Sequence, residues 1–197
     1  GGPGLVPVLA AVAERDEAVL SPYGGTDPDP YLHSHPKEPY RPISIFRTLQ
    51  THLVQVRPEL PKEIGCLMYE AMGMADLGVF VPLYQGVKQY PEAYSKGNGH
   101  SSQDSAYWKF RKVMVLGMTN YNAYAPIIKE AYAKYEAETT QRQQEMEAEY
   151  LRIYQQKPME ALDMLQRFSD EVLGKALQVA AELQEELFTR MTVDIQQ

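Results

Sequence analysis

At 197 residues, with a formal net charge of −7 and 44% hydrophobic residues, the chain is long enough for one large domain or a long part of one. Its Lys and Arg are scattered, which excludes the basic face that a nucleic acid requires. One cysteine, Cys66, excludes an internal disulfide framework, and no apolar run reaches the about 18 residues of a membrane span, so a reducing cytoplasm away from membranes is the expected setting.

The opening GGPGLVPVLAAVAERD has neither an initiator Met nor a basic region ahead of an apolar core, and it reads as a cut end rather than a signal peptide. Leu5, Val8, Leu9, Val12 and Ala13 recur at helical spacing, predicting a short amphipathic helix over 5–20. SPYGGTDPDPYLHSHPKEPYRP is too rich in Pro, Gly and Asp for regular structure, so residues 1–42 are expected to be helix followed by loop. His33 and His35 form an HxH pair within it. A metal needs three or four converging ligands, and only Asp27 and Asp29 stand near, so solvated loop histidines and no metal are the expectation.

Residues 43–86 hold the β-structure: runs rich in Ile, Val, Phe, Leu and Tyr, punctuated by Pro, Gly and Asp, predict strands at about 43–56, 64–72 and 77–85. The first is long enough to need a bulge near Gln50 to His52, and GMADLG is the expected hairpin connection between the second and third. Alternation places Arg47 on one strand face with Ile43, Ile45 and Leu49. A guanidinium in such a row needs a carboxylate, a carbonyl, a bound anion or a route to water. Cys66, between Gly65 and Leu67, has apolar flanks that suit an inert, packed thiol, and nothing in the spacing makes His52 its base.

A loop with Gly97, Asn98 and Gly99 at its tip leaves His100 exposed, and the segment 104–197 is helical. Helices are expected at about 105–120, 122–156 and 158–190. Asp104 or Ser105 caps the first, whose buried stripe is Ala106, Trp108, Phe110, Val113, Met114 and Gly117. Pro126 is tolerable in the first turn of the second, whose polar second half from Glu136 to Gln156 reads as a solvated face with Met146, Tyr150, Ile153 and Tyr154 turned inward. Pro158 opens the third, with Leu162, Leu165, Val172, Ala176, Ala180, Leu183 and Leu187 at three- and four-residue steps. The two long helices should pack as an antiparallel hairpin.

RPISIFRTLQTHLVQVRPELPKEIGCLMYEAMG followed by VFVPLYQGV, with TDPDPYLH upstream and DSAYWKFRKV downstream, resembles the later part of the bacterial dipeptidases of the N-terminal-nucleophile hydrolase superfamily. These are of the dipeptidase-A type, related to secernins and bile-salt hydrolases, and the likeness runs roughly from Ser21 to Phe168. The resemblance implies an α+β fold, part of a four-layer αββα sandwich with antiparallel sheets, and hydrolysis of dipeptides through an acyl-enzyme without metal or organic cofactor. It also implies a nucleophilic cysteine at the mature N-terminus, where Gly1 stands here. The expectation is therefore a C-terminal portion whose partner is the missing N-terminal half of the same enzyme, inactive alone. Phe46-Arg47 matches an Arg-Phe-Val-Arg strand of the bile-salt hydrolases, which implies a supporting catalytic role for Arg47. The other reading is a noncatalytic helical interaction module with a small sheet, its polar helix end serving as an arm in a homo-oligomer; the ordered family elements weigh against it.

Overall fold

The computed structural model describes Ser44 and residues 47–195. The expected 5–20 helix, the HxH pair, and Ile43 and Ile45 lie outside the described residues. In chain order the elements are β1 (Thr51–Val56), the short α1 (Lys62–Gly65), β2 (Cys66–Ala71), β3 (Val81–Tyr84), α2 (Ala106–Thr119), α3 (Tyr121–Tyr154) and α4 (Pro158–Ile195), with 3-10 turns at Ala75–Leu77 and Glu92–Tyr94. The α+β class and the long C-terminal helices are as expected from the sequence.

The three strands form an antiparallel meander in the order β1-β2-β3. Leu53 faces Tyr69 and then Pro82; Gln55 faces Leu67 and then Tyr84. This parity puts Leu67, Tyr69, Ala71 and Tyr84 on the covered face, all buried. On the other face His52, Val54 and Val56 are exposed, with Val54 57% and Val56 70% open to solvent, and Cys66 and Met68 beside them are only half-covered. Toward β3 that face closes over, Val81 being buried.

The strands are shorter than the apolar runs suggested, and each shortening has a local cause. β1 begins at Thr51, not residue 43, because β2 ends at Ala71 and Gly73 turns the chain at φ 120°, leaving a single bond from its N–H to the Leu49 carbonyl. No bulge is needed, and the register runs without a break from Thr51 to Val56. Ile64 and Gly65 belong to α1, whose bonds run back to the Pro61 carbonyl after the double-proline turn. Asp76 and Leu77 lie in a 3-10 turn, so β3 starts only at Val81.

α3 and α4 pack antiparallel across the covered face, spanning about 51 and 57 Å at 1.5 Å per residue. Each presents a single apolar stripe, which neither could bury alone in water. Tyr135 donates to the Val172 carbonyl at 3.0 Å, and Tyr124 to Asp194 at 2.6 Å, fixing the register of the hairpin. α2 is capped by the Ser105 hydroxyl, while the Asn120 side chain starts α3 at Tyr121. That early start moves Pro126 into the second turn rather than the first.

Two helical expectations are corrected. The polar half of α3 is a solvated face only in part: Glu138, Gln141, Arg142, Gln144 and Glu145 are exposed and Met146, Tyr150 and Ile153 turn inward as expected, but Thr139 and Gln143 are buried with them. Gln143 is admitted because it has a buried hydroxyl to bind, described below. Trp108 is half-exposed, its indole N–H donating 2.9 Å to the Asn98 carbonyl, while Ala106, Phe110, Val113, Met114 and Gly117 are buried as expected.

Gly86 marks the closest backbone approach: it donates to the Glu63 carbonyl, and a Cβ there would lie 2.7 Å from both the Glu63 Cα and its carbonyl oxygen. Gly86→Ala is expected to lower stability by about 1–3 kcal/mol in urea unfolding. Gly99→Ala, where a Cβ meets nothing within 4 Å, should be close to neutral.

Candidate functional site

Side chains with chemical capacity gather at two places where the sheet meets α3. The first is the end of the sheet where the chain enters β1. Ser44 is buried, and its hydroxyl oxygen accepts from the Asp76 backbone N–H at 2.9 Å. The Asp76 carboxylate, almost wholly enclosed, receives Lys129 at 2.8 Å on one oxygen and the Tyr121 hydroxyl on the other. Lys129 also donates to the Tyr121 oxygen at 3.1 Å and lies over the Tyr121 ring. The burial of Asp76 is tolerable because its charge is neutralised at contact distance. Burial, and then the neighbouring Asp76 charge, hold the Tyr121 phenol well above the ordinary tyrosine range, so it stays a proton donor. The cluster clamps the 3-10 turn after β2 to the start of α3 and holds the segment at Ser44 in place.

Arg47 stands three residues after Ser44, on an exposed turn. It is not on an apolar strand face as the alternation implied: β1 begins four residues later, and Leu49 is 63% exposed. Sequence reasoning singled out the arginine but missed Asp76, Tyr121 and Lys129; the last two lie eight residues apart on α3, and the fold brings them to Asp76 from 45 and more residues away.

The second gathering is buried at the other end of β2. Arg57 reaches both carboxylate oxygens of Glu147, at 2.6 and 2.8 Å, and also donates to the Ile64 carbonyl. The Tyr84 hydroxyl donates to the same carboxylate, and Gln143 donates 2.8 Å to the Tyr69 oxygen. Burial, then the Glu147 charge, holds the Tyr84 phenol far above its ordinary value, and burial pushes Tyr69 up to about 12. Burial alone would lower Arg57, but the Glu147 hydrogen bond and charge outweigh it and leave it raised. With Arg57, Tyr69 and Tyr84 all displaced away from neutrality, this network is an anchor and not a proton-transfer site.

Cys66 is half-buried rather than packed on both sides, because its strand face is the open one. It pairs with Val56 while His52 pairs with Glu70, so the two lie at opposite ends of that face, about 13 Å apart along the strand. They form no nucleophile–base pair. Among the described residues no cluster of His, Cys, Asp and Glu could hold a metal ion, and no helix is long and apolar enough to cross a membrane.

Residues 10–134, more than half of the chain, match the model of peptidase family C69, and the chain belongs to that family. Among curated proteins it is 42% identical over 122 residues to the "Probable dipeptidase" of Salmonella dublin, covering 57% of this chain and 28% of that protein. Against the "Probable dipeptidase A" of Streptococcus pyogenes serotype M18 the identity is 33% over 120 residues, 59% of this chain and 25% of the relative. Against the "Dipeptidase A" of Lactobacillus helveticus it is 31% over 91 residues, 46% and 19%. The matched part thus spans under a third of each relative's length.

Glu147→Ala should strand the Arg57 guanidinium and lower stability by about 3–5 kcal/mol in urea unfolding. Glu136 gives a separate pH signature. It accepts from the Phe80 N–H at 2.8 Å, yet burial pushes its carboxyl up to about 7 from its ordinary 4.5. A carboxyl that binds its proton more tightly folded than unfolded favours unfolding as pH rises. Stability should therefore fall between about pH 4.5 and 7 by roughly 3 kcal/mol. Glu136→Gln should flatten that window in chemical-denaturation profiles and exceed the wild type in stability above pH 7.

Proposed function

We propose that this chain is the C-terminal portion of a cysteine dipeptidase, in which the nucleophile is an N-terminal cysteine contributed by a part of the enzyme outside these residues. The observation that carries the reading is the family membership, and the sheet supports it: helices cover one face, while Val54 and Val56 leave the other apolar and open. A second antiparallel sheet laid on that face would complete an αββα sandwich. In the reaction the cysteine thiolate attacks the dipeptide carbonyl carbon, and its own α-amino group takes the thiol proton and passes it to the leaving amine. Water then hydrolyses the thioester, releasing the second amino acid and regenerating the thiol. No metal or organic cofactor enters.

Arg47 is assigned a supporting role, holding the thiolate or the oxyanion that develops on the carbonyl. The assignment requires the remainder of the enzyme to enclose the exposed turn on which Arg47 stands, and the Asp76–Lys129–Tyr121 cluster to fix that turn through Ser44. The fold's helical hairpin and sheet would then be the scaffold, and the chain alone would not hydrolyse peptides.

The test uses the complete enzyme. Arg47→Lys keeps the charge but loses the planar fork, so kcat/KM for a dipeptide should fall by on the order of a hundredfold with the melting temperature unchanged. Full turnover in Arg47→Lys would remove the arginine from the chemistry. Dipeptide hydrolysis by the 197-residue chain alone would overturn the assignment of the nucleophile.

A further inference from the structure

Toward its C-terminal end α4 carries apolar side chains on two faces. Ala180, Leu183 and Leu187 pack inward, yet Phe188 beside them is 62% exposed. Across a cleft of about 390 Å³, Val115 on α2 is 47% exposed and Trp108 half-exposed. Trp108, Lys112 and Val115 recur at four- and three-residue steps, and Glu185 and Phe188 stand three apart, so each wall is one face of one helix. Large apolar groups gathered along two neighbouring helices, and not scattered singly, mark a surface that another molecule covers.

The two helices run side by side in the same direction. The Gln184 amide donates to the Lys109 carbonyl, and further along both helices the Thr119 hydroxyl meets the Met191 sulfur at 3.8 Å. These contacts fix the axial level, and they set Lys112 and Glu185 across from each other to within about one turn. Among the described residues neither of the two has an ion-pair partner, whereas the adjacent Glu186 is taken by Arg190. The cleft thus has an apolar centre, a cation on one wall and an anion at the same level on the other. No strand residue lines it, so a second sheet laid over Val54 and Val56 would leave it uncovered.

Such a surface is its own complement. A two-fold axis along the cleft lays α2 of each copy over α4 of the other, setting each Lys112 against the other copy's Glu185 and each Phe188 against the other copy's Trp108 and Val115. We infer that this cleft is the interface of a symmetric dimer of the chain, closed by two reciprocal Lys112–Glu185 pairs around an apolar centre. The apolar groups are buried in the middle, and the charges at the rim set the partner and its register more than the affinity. The inference stands on the layout of this face whether or not the peptidase assignment holds.

Reciprocity makes the test specific, because the pairing can be broken within each copy and restored between copies. In sedimentation measurements on the complete enzyme, Glu185→Lys and Lys112→Glu should each weaken association across this face by at least about tenfold, since like charges then meet twice in every dimer. Phe188→Ala should weaken it as well, with the circular-dichroism spectrum unchanged in all three variants. Mixed in equal amounts, the Glu185→Lys and Lys112→Glu proteins should assemble with each other as strongly as the wild type does, each presenting the charges the other lacks. That recovery would not follow if the rest of the enzyme or an unrelated molecule filled the cleft. Single variants that associate like the wild type, or a mixture that stays dissociated, would overturn the inference. So would a complete enzyme that sediments as a monomer at every concentration.

Discussion

The two-armed bond between Arg57 and Glu147 is the joint on which the structure turns, because it ties the β1–β2 corner to the C-terminal third of α3 with side chains only about 15% exposed. A guanidinium so enclosed is tolerable only when its fork is filled, and here Glu147 and the Ile64 carbonyl fill it. The same carboxylate takes the Tyr84 hydroxyl, so one glutamate on α3 holds the corner before β2 and the end of β3 together. Tyr69 and Gln143 extend the contact along the same helix. The sheet is therefore bonded to the helical layer by specific polar contacts as well as pressed on it by apolar area.

Tyrosine is the recurrent means of these attachments. Tyr94 donates to the Leu173 carbonyl, Tyr154 to Glu63, Tyr135 to Val172 and Tyr121 to Asp76. Each ring contributes apolar area to a layer interface while its hydroxyl finds a partner across it, which is the use to which an amphipathic side chain is suited. Such contacts lock the register between layers in a way that aliphatic packing cannot, since a slip of one residue would leave buried hydroxyls without acceptors.

The helical half was largely legible in the sequence, because Ser105 and Pro158 mark helix starts and the α4 stripe from Leu165 to Leu187 has strict periodicity. The misreadings share a cause. Gln143 looked solvated because its partner Tyr69, on a strand 74 residues away, is invisible to a local pattern. Arg47 looked like a strand residue because alternation carries no information on where the neighbouring strand ends, and Gly73 decides that. Cys66 looked packed because sequence shows two apolar flanks but not that one sheet face is left open. The clamp of Asp76, Tyr121 and Lys129 left no signal at all, its members being ordinary residues at unremarkable spacings.

The Arg57–Glu147 contact also bears on how the chain reaches this arrangement. The β-meander forms from strands close in sequence, and α3 and α4 meet across a connection of a few residues, so each half can organise from local encounters. Joining them closes a loop of 90 residues, a cost that grows only slowly with length but must be met before the joint rewards it. The sequence-distant contacts, which contribute most to contact order, are thereby gathered at the junction of the two halves.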